Sequence, residues 1–145
     1  KEMCDKHDKK YYKNFKKQCD EYFYIKHRKE KRGVGGIFFD NLNTKSKNHY
    51  MLFLEDAVNS FLESYIKIIN KRSSKKYNKT HKEFQLYRRG RYVEFNLIYD
   101  RGTLFGLQSN GRAESILMSM PPHIKWSSMR SKTLINYEKK LLKFL

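Results

Sequence analysis

Residues 92–100, Tyr-Val-Glu-Phe-Asn-Leu-Ile-Tyr-Asp, alternate between apolar and polar side chains with a period of two. That rhythm constrains the chain more than any other segment. Val93, Phe95, Leu97 and Tyr99 would share one face of a strand, and Tyr92, Glu94, Asn96, Ile98 and Asp100 the other. The first is a core face. The second is unusually polar for so regular a strand. Arg101-Gly102 follows and predicts a tight hairpin into 103–108. Ser109-Asn110-Gly111 predicts another turn, and Pro121-Pro122 ends the apolar run 115–120.

Elsewhere the period is helical. Residues 11–27 repeat Tyr12, Phe15, Cys19, Tyr22 and Phe23 at three- and four-residue steps before Gly33, Gly35 and Gly36 break the pattern. Residues 51–69 carry a broader apolar stripe, including Leu54, Val58, Phe61, Leu62, Tyr65 and Ile69. A short helix is expected over 81–87, stopped near Gly90, and a last one over 136–145. Ile37-Phe38-Phe39 is a short β-prone run. Helices mixed with hairpin-joined strands predict an α+β chain with an antiparallel sheet.

Charge raises the question of partners. The 145 residues hold 32 Lys+Arg against 15 Asp+Glu, a formal net charge of +17, which suits an anionic partner such as nucleic acid, a membrane surface or an acidic substrate. The lysines, however, crowd 1–31, 67–82 and the C-terminal tail. Between Tyr92 and Pro122 the only basic residues are Arg101 and Arg112. A nucleic-acid reader more often places basic residues on its reading element, so solvated lysines fit better and no nucleic-acid partner is expected. No apolar run reaches the ~18 residues of a membrane span. Cys4 and Cys19 lack metal or redox spacing and are expected as free thiols.

The candidate chemistry gathers near the alternating segment. Glu94, Asn96 and Asp100 share a side, Arg101 sits at the turn, and Arg112 follows closely. Such a face is either a solvated side of a sheet or a cleft in which guanidinium forks hold carboxylates while one carboxylate serves as base. Arg88, Arg89 and Arg91 form a second basic cluster, at a helix end or against an anion. None of His7, His27, His49, His81 and His123 stands in a helical metal-ligand pair. The glycines of 33–36 precede a strand-like run and not a helix, which argues against a phosphate-cradling loop.

The run 88–103, Arg-Arg-Gly-Arg-Tyr-Val-Glu-Phe-Asn-Leu-Ile-Tyr-Asp-Arg-Gly-Thr, closely resembles the signature of oxygen-dependent coproporphyrinogen III oxidases. So do Phe105-Gly106-Leu107-Gln108, Gly111-Arg112 and Glu114 to Pro121, and, upstream, Cys19 to Tyr24, His27-Arg28 and Arg32 to Asp40. The resemblance covers nearly the whole chain in one register. It implies that residues 1–145 are a single incomplete domain, the C-terminal half of that family's chain. The implied fold is a large, flat antiparallel sheet flanked by α-helices, assembled as a homodimer with Tyr92 to Trp126 in or near the interface. The implied reaction is the oxidative decarboxylation of two propionates of coproporphyrinogen III to vinyl groups in haem biosynthesis. Molecular oxygen is the oxidant, no organic cofactor is needed, and a divalent metal is assigned in some members.

By the same resemblance, Asp100 is the catalytic base and Arg101 orients or balances it. Asn110, Gly111 and Arg112 form the substrate-binding turn, and His27 matches a proposed metal histidine. Family members work in the cytoplasm, the mitochondrial intermembrane space or plastids, and the cytoplasm is expected here. The family's proton-donor histidine has no counterpart in this chain, so little turnover is expected from it alone. Ser127, Ser128, Gln18, Glu63 and Lys67 depart from residues common in the family. A basic nucleic-acid-binding module, suggested by charge alone, and a scaffold or dimerisation remnant without catalysis are the other readings. The two kinds of partner separate by salt: coproporphyrin III binding followed by fluorescence should persist from low to physiological salt, whereas phosphate-backbone binding to duplex DNA would weaken steeply.

Overall fold

The computed structural model describes residues 1–144, and they are mostly helical. In chain order come α1 (Glu2–His7), α2 (Tyr11–Tyr22), β1 (Tyr24–Ile25), a single 3-10 turn (Lys26–Arg28), β2 (Glu30–Lys31), α3 (Lys47–Arg72), α4 (Lys79–Ile98), α5 (Arg101–Gln108), α6 (Ala113–Leu117) and α7 (Lys132–Leu142). The chain forms two compact units: Lys1–Tyr22 with Gly36–Lys76, and Phe23–Gly35 with the segment from Tyr77 onward. The α+β class holds in its coarse form. Among the described residues the sheet is one antiparallel pair, Tyr24 opposite Lys31 and Ile25 opposite Glu30.

The first unit closes around Phe53, which is fully buried with Cys4, Tyr11 and Phe15. The helical period of 11–22 puts Tyr11, Phe15 and Cys19 on one buried face of α2. Residues 37–39 form no strand. They lie extended over α2, where the Phe38 amide donates to the Phe15 carbonyl (3.1 Å). The Phe39 ring packs 5.0 Å from Phe15 and 5.4 Å from Phe53. Helix α3 is longer than its stripe predicts because Ser46 caps it, accepting from the His49 amide at 3.2 Å. Its N-terminal turns are tied down by His7 Nε2 to Asp56 Oδ2 (2.8 Å) and Tyr11 Oη to His49 Nε2 (3.0 Å). Both cysteines are buried free thiols, and burial pushes Cys4 up.

The second unit departs most from expectation. The helix predicted over 11–27 stops at Tyr22, because Phe23 to Arg32 turns back on itself. The Arg32 amide donates to the Phe23 carbonyl (2.9 Å), and Lys29 supplies the left-handed residue (φ 54°) of the turn. Residues 92–98, predicted as a strand, instead continue α4, and 103–108 form α5. The physical reason is backbone accounting. A strand needs a partner for its N–H and C=O groups, and among the described residues this unit offers only a two-residue pair; a helix satisfies those groups within itself. Asn78 starts α4 with a capping box, accepting from the His81 amide (3.0 Å) while His81 Nδ1 accepts from the Asn78 amide (3.2 Å). Glycine at 90 lets the helix approach its neighbour. A Cβ there would meet Trp126 Nε1 at 3.0 Å and the Lys125 carbonyl at 3.3 Å.

The turn at 109–111 is present. Asn110 adopts φ 56°, and the Gly111 amide donates to the Gly106 carbonyl (2.9 Å), a helix end of the left-handed kind. The last helix begins earlier than predicted, at Lys132, capped by Ser131; residue 145 lies outside the described residues.

Because Phe53 is fully buried against His7, Tyr11, Phe15 and Phe39, Phe53→Ala should cost about 3–5 kcal/mol of unfolding free energy. The exposed Phe61→Ala should change it by less than about 0.5 kcal/mol. Urea unfolding followed by far-UV circular dichroism measures both.

Candidate functional site

Helical winding of α4 brings Tyr87, Arg91, Glu94 and Phe95 onto one buried face, at spacings of three and four. Two of these are charged and almost fully covered: Arg91 is 3% exposed and Glu94 7%. Burial of such groups is tolerable only with partners, and the unit supplies them from distant points in the sequence. Arg28, in the 3-10 turn, forks onto Glu94 with Nη2 to Oε1 at 2.7 Å and Nε to Oε2 at 2.9 Å. His27 Nε2 lies 2.9 Å from Oε2, and Trp126 Nε1 donates to Oε1 at 2.9 Å. Arg91 Nη1 is 3.4 Å from Oε1.

A second carboxylate, Glu30 on β2, accepts from Arg91 Nε (2.5 Å) and Arg88 Nη1 (3.1 Å). A third, Glu138 on α7, faces Arg88 Nη1 at 3.3 Å and Arg91 Nη2 at 3.7 Å, and is held by Arg130. The Tyr87 hydroxyl receives Arg91 and, at 3.2 Å, Arg130. Four arginines thus face three glutamates beside an open cleft of about 550 Å³, lined by His27, Arg28, Tyr87, Arg91, Glu94 and Trp126 with Ser127 and Ser128.

Glu94 feels opposing influences. Burial pushes its carboxyl up, but the hydrogen bonds from Arg28 and His27 and the nearby Arg91 charge outweigh burial and bring it down to about 2. In return, the hydrogen bond to Glu94 raises Arg28.

The residues singled out from the sequence are spread along the same unit. Asp100 caps α5, its Oδ2 accepting from the Thr103 amide (2.8 Å) and hydroxyl (2.9 Å). Arg101 is the first residue of α5 and is exposed. Asn110 and Gly111 make the α5–α6 turn. Arg112 immediately precedes α6 and makes no capping hydrogen bond; its side chain is 79% exposed, with Glu114 3.7 Å away. His27 is held between Glu94 and Tyr99, whose hydroxyl is 2.8 Å from Nδ1, so both ring nitrogens are engaged. Among the described residues no group of three His, Cys, Asp or Glu side chains is placed to hold a metal. Sequence reading found Glu94, Arg88 and Arg91 but not Glu30, Arg130, Glu138 or the partnership with Arg28 and Trp126. These lie 32 to 66 residues from their α4 partners, beyond any local pattern.

The cleft is thus walled by arginines and carboxylates that pair with one another and hold each other in place. Residues 1–145 match, over their full length, the family model described as coproporphyrinogen III oxidase. The oxygen-dependent coproporphyrinogen-III oxidase of Francisella tularensis subsp. holarctica (strain OSU18) is 57% identical over 145 residues, covering 100% of this chain and 47% of that protein. The protein of the same name from Francisella philomiragia is 64% identical over 126 residues, 87% of this chain and 41% of that one. The chain therefore belongs to the coproporphyrinogen III oxidase family, and it spans about half the length of these relatives.

The depressed carboxyl has a pH consequence. Glu94 titrates near 2 when folded and near 4.5 when unfolded, so its stabilisation is complete above pH 4.5 and is lost as pH falls from 4.5 towards 2. Allowing for screening through the open cleft, the contribution is roughly 1–3 kcal/mol. Fluorescence of Trp126, the single tryptophan, should report the acid transition directly. Glu94→Gln should lower stability at neutral pH and flatten the dependence between those two values.

Proposed function

We propose that this chain forms part of an oxygen-dependent coproporphyrinogen III oxidase. The observation that carries the reading is the family match along the whole chain, joined to 57% identity with a relative of that name. In the reaction, each of two propionates reacts as R–CH2–CH2–COOH with O2 to give R–CH=CH2, CO2 and H2O2. The product is protoporphyrinogen IX. Oxygen takes two electrons per propionate, and no organic cofactor is required by that balance.

The chemistry asks for a base that draws a proton from an electron-rich pyrrole N–H, and for cations that hold the carboxylates still. Asp100 is the proposed base, positioned by Thr103 at the start of α5. Arg101, adjacent to it, orients or balances the charge. Asn110 and Gly111 present Arg112 as a clamp for a propionate, and its exposed guanidinium is available for two parallel hydrogen bonds to a carboxylate. A metal role for His27 requires that it give up Glu94 or Tyr99.

The whole protein is proposed as a homodimer with residues 92–126 in or near the contact. It would be built on a large, flat antiparallel sheet flanked by helices and located in the cytoplasm. The alternation at 92–100 supports the sheet: partner strands from the remaining half of the family's chain would supply the hydrogen bonds that α4 now makes internally.

The chain alone should turn over little or no coproporphyrinogen. In the protein completed with the other half of the family sequence, Asp100→Ala should lower kcat by about 10²–10⁴-fold, the usual worth of a general base, while the dimer remains. Arg112→Ala should act mainly on KM. An Asp100→Ala enzyme with unchanged kcat at all pH values would remove Asp100 from the base position.

A further inference from the structure

Helix α4 carries a second face beside the one that buries Tyr87, Arg91 and Glu94. At the helical step Phe84, Arg88, Arg89 and Tyr92 fall within an arc of about 140°. They line a pocket of about 540 Å³ that Pro121 and Leu141 wall from across, and every lining residue belongs to the second unit. The walls are fixed to α4. Tyr137 on α7 meets Phe84 edge-on at 5.6 Å and stacks on His81 at 5.7 Å, while Glu138 faces Arg88. The Lys125 amide donates to the Leu86 carbonyl (3.1 Å), which ties down the segment that follows Pro121.

The lining is mostly apolar, and its charges are two guanidiniums. Their circumstances differ from those of the arginines in the neighbouring cleft. Arg28, Arg91 and Arg130 each pair with a glutamate. Arg88 reaches Glu30 and Glu138 through Nη1, but its Nη2 is buried with no hydrogen-bond partner among the described residues. Arg89 is half-buried and, among the described residues, makes no hydrogen bond or ion pair. A guanidinium drawn partly out of water costs free energy that an anion beside it offsets.

We propose that this pocket binds a small aromatic carboxylate. The carboxylate lies against Arg89, whose planar fork matches its two oxygens, and the ring system packs between Phe84, Tyr92, Pro121 and Leu141. Inorganic anions would satisfy the arginine and leave the apolar walls unused, whereas a cavity of this size suits a ligand of one or two rings. Asp100, Arg101 and Arg112 do not line the pocket, so the proposal stands apart from the catalytic assignment.

The test is isothermal titration calorimetry of this chain with 2-naphthoate and with its neutral isostere 2-naphthamide. Naphthoate should bind saturably at one site, and naphthamide at least about tenfold more weakly, because the bond to a charged group is lost. Arg89→Gln should weaken naphthoate by a similar factor while far-UV circular dichroism stays unchanged. Lys67→Gln removes the same charge from the other unit and should alter naphthoate affinity by less than about twofold. The proposal is overturned if naphthoate shows no saturable binding, or if naphthamide binds as tightly. It is equally overturned if a folded Arg89→Gln chain keeps its naphthoate affinity, or if Lys67→Gln weakens binding as much as Arg89→Gln does.

Discussion

The second unit is organised by the need to neutralise Glu94. A carboxylate with 7% exposure cannot stay ionised without partners, and it recruits Arg28 and His27 from the 3-10 turn, Arg91 from its own helix and Trp126 from beyond α6. Those contacts fix the hairpin of residues 23–32 and the segment around Trp126 against α4. Glu30 and Glu138 then complete the surroundings of Arg88 and Arg91, which ties in α7. Removing one partner from such a set leaves an uncompensated charge, so the network acts as a unit. Its gain is positional: a walled cleft whose arginines are preoriented by their own glutamates.

Net charge and site charge are separate matters in this protein. Most of the lysines lie outside the segment that carries the candidate chemistry, while the cleft balances four arginines with three glutamates. A charge of +17 describes solubility and long-range attraction of anions. Recognition of a carboxylate depends on the local forks.

Residues 87–100 illustrate how one sequence can satisfy two periods. Read at a period of two, they divide into an apolar and a polar face. Read at 3.6, they gather Tyr87, Arg91, Glu94 and Phe95 on a single face, which is the buried one in α4. Which period prevails depends on whether other strands are at hand to pair with the backbone. In a unit whose described residues form a sheet two residues deep, a helix satisfies the N–H and C=O groups of 92–98 without a partner strand.

The sequence by itself determined the family, through the run at 88–103. It also determined that helices run through 51–69 and from Tyr11, though not that the one expected over 11–27 stops at Tyr22, and it determined the turn at 109–111, where Asn and Gly tolerate left-handed backbone. It marked Glu94, Arg88 and Arg91 as notable without saying what they meet. Only the tertiary structure decided that Arg28, Glu30, Arg130 and Glu138 converge on them, and that 92–98 winds as helix and not as strand. The reason is range. Period, capping and turn preference act within a few residues and are written locally, whereas ion pairing across tens of residues and the pairing of a strand depend on what the rest of the chain brings alongside.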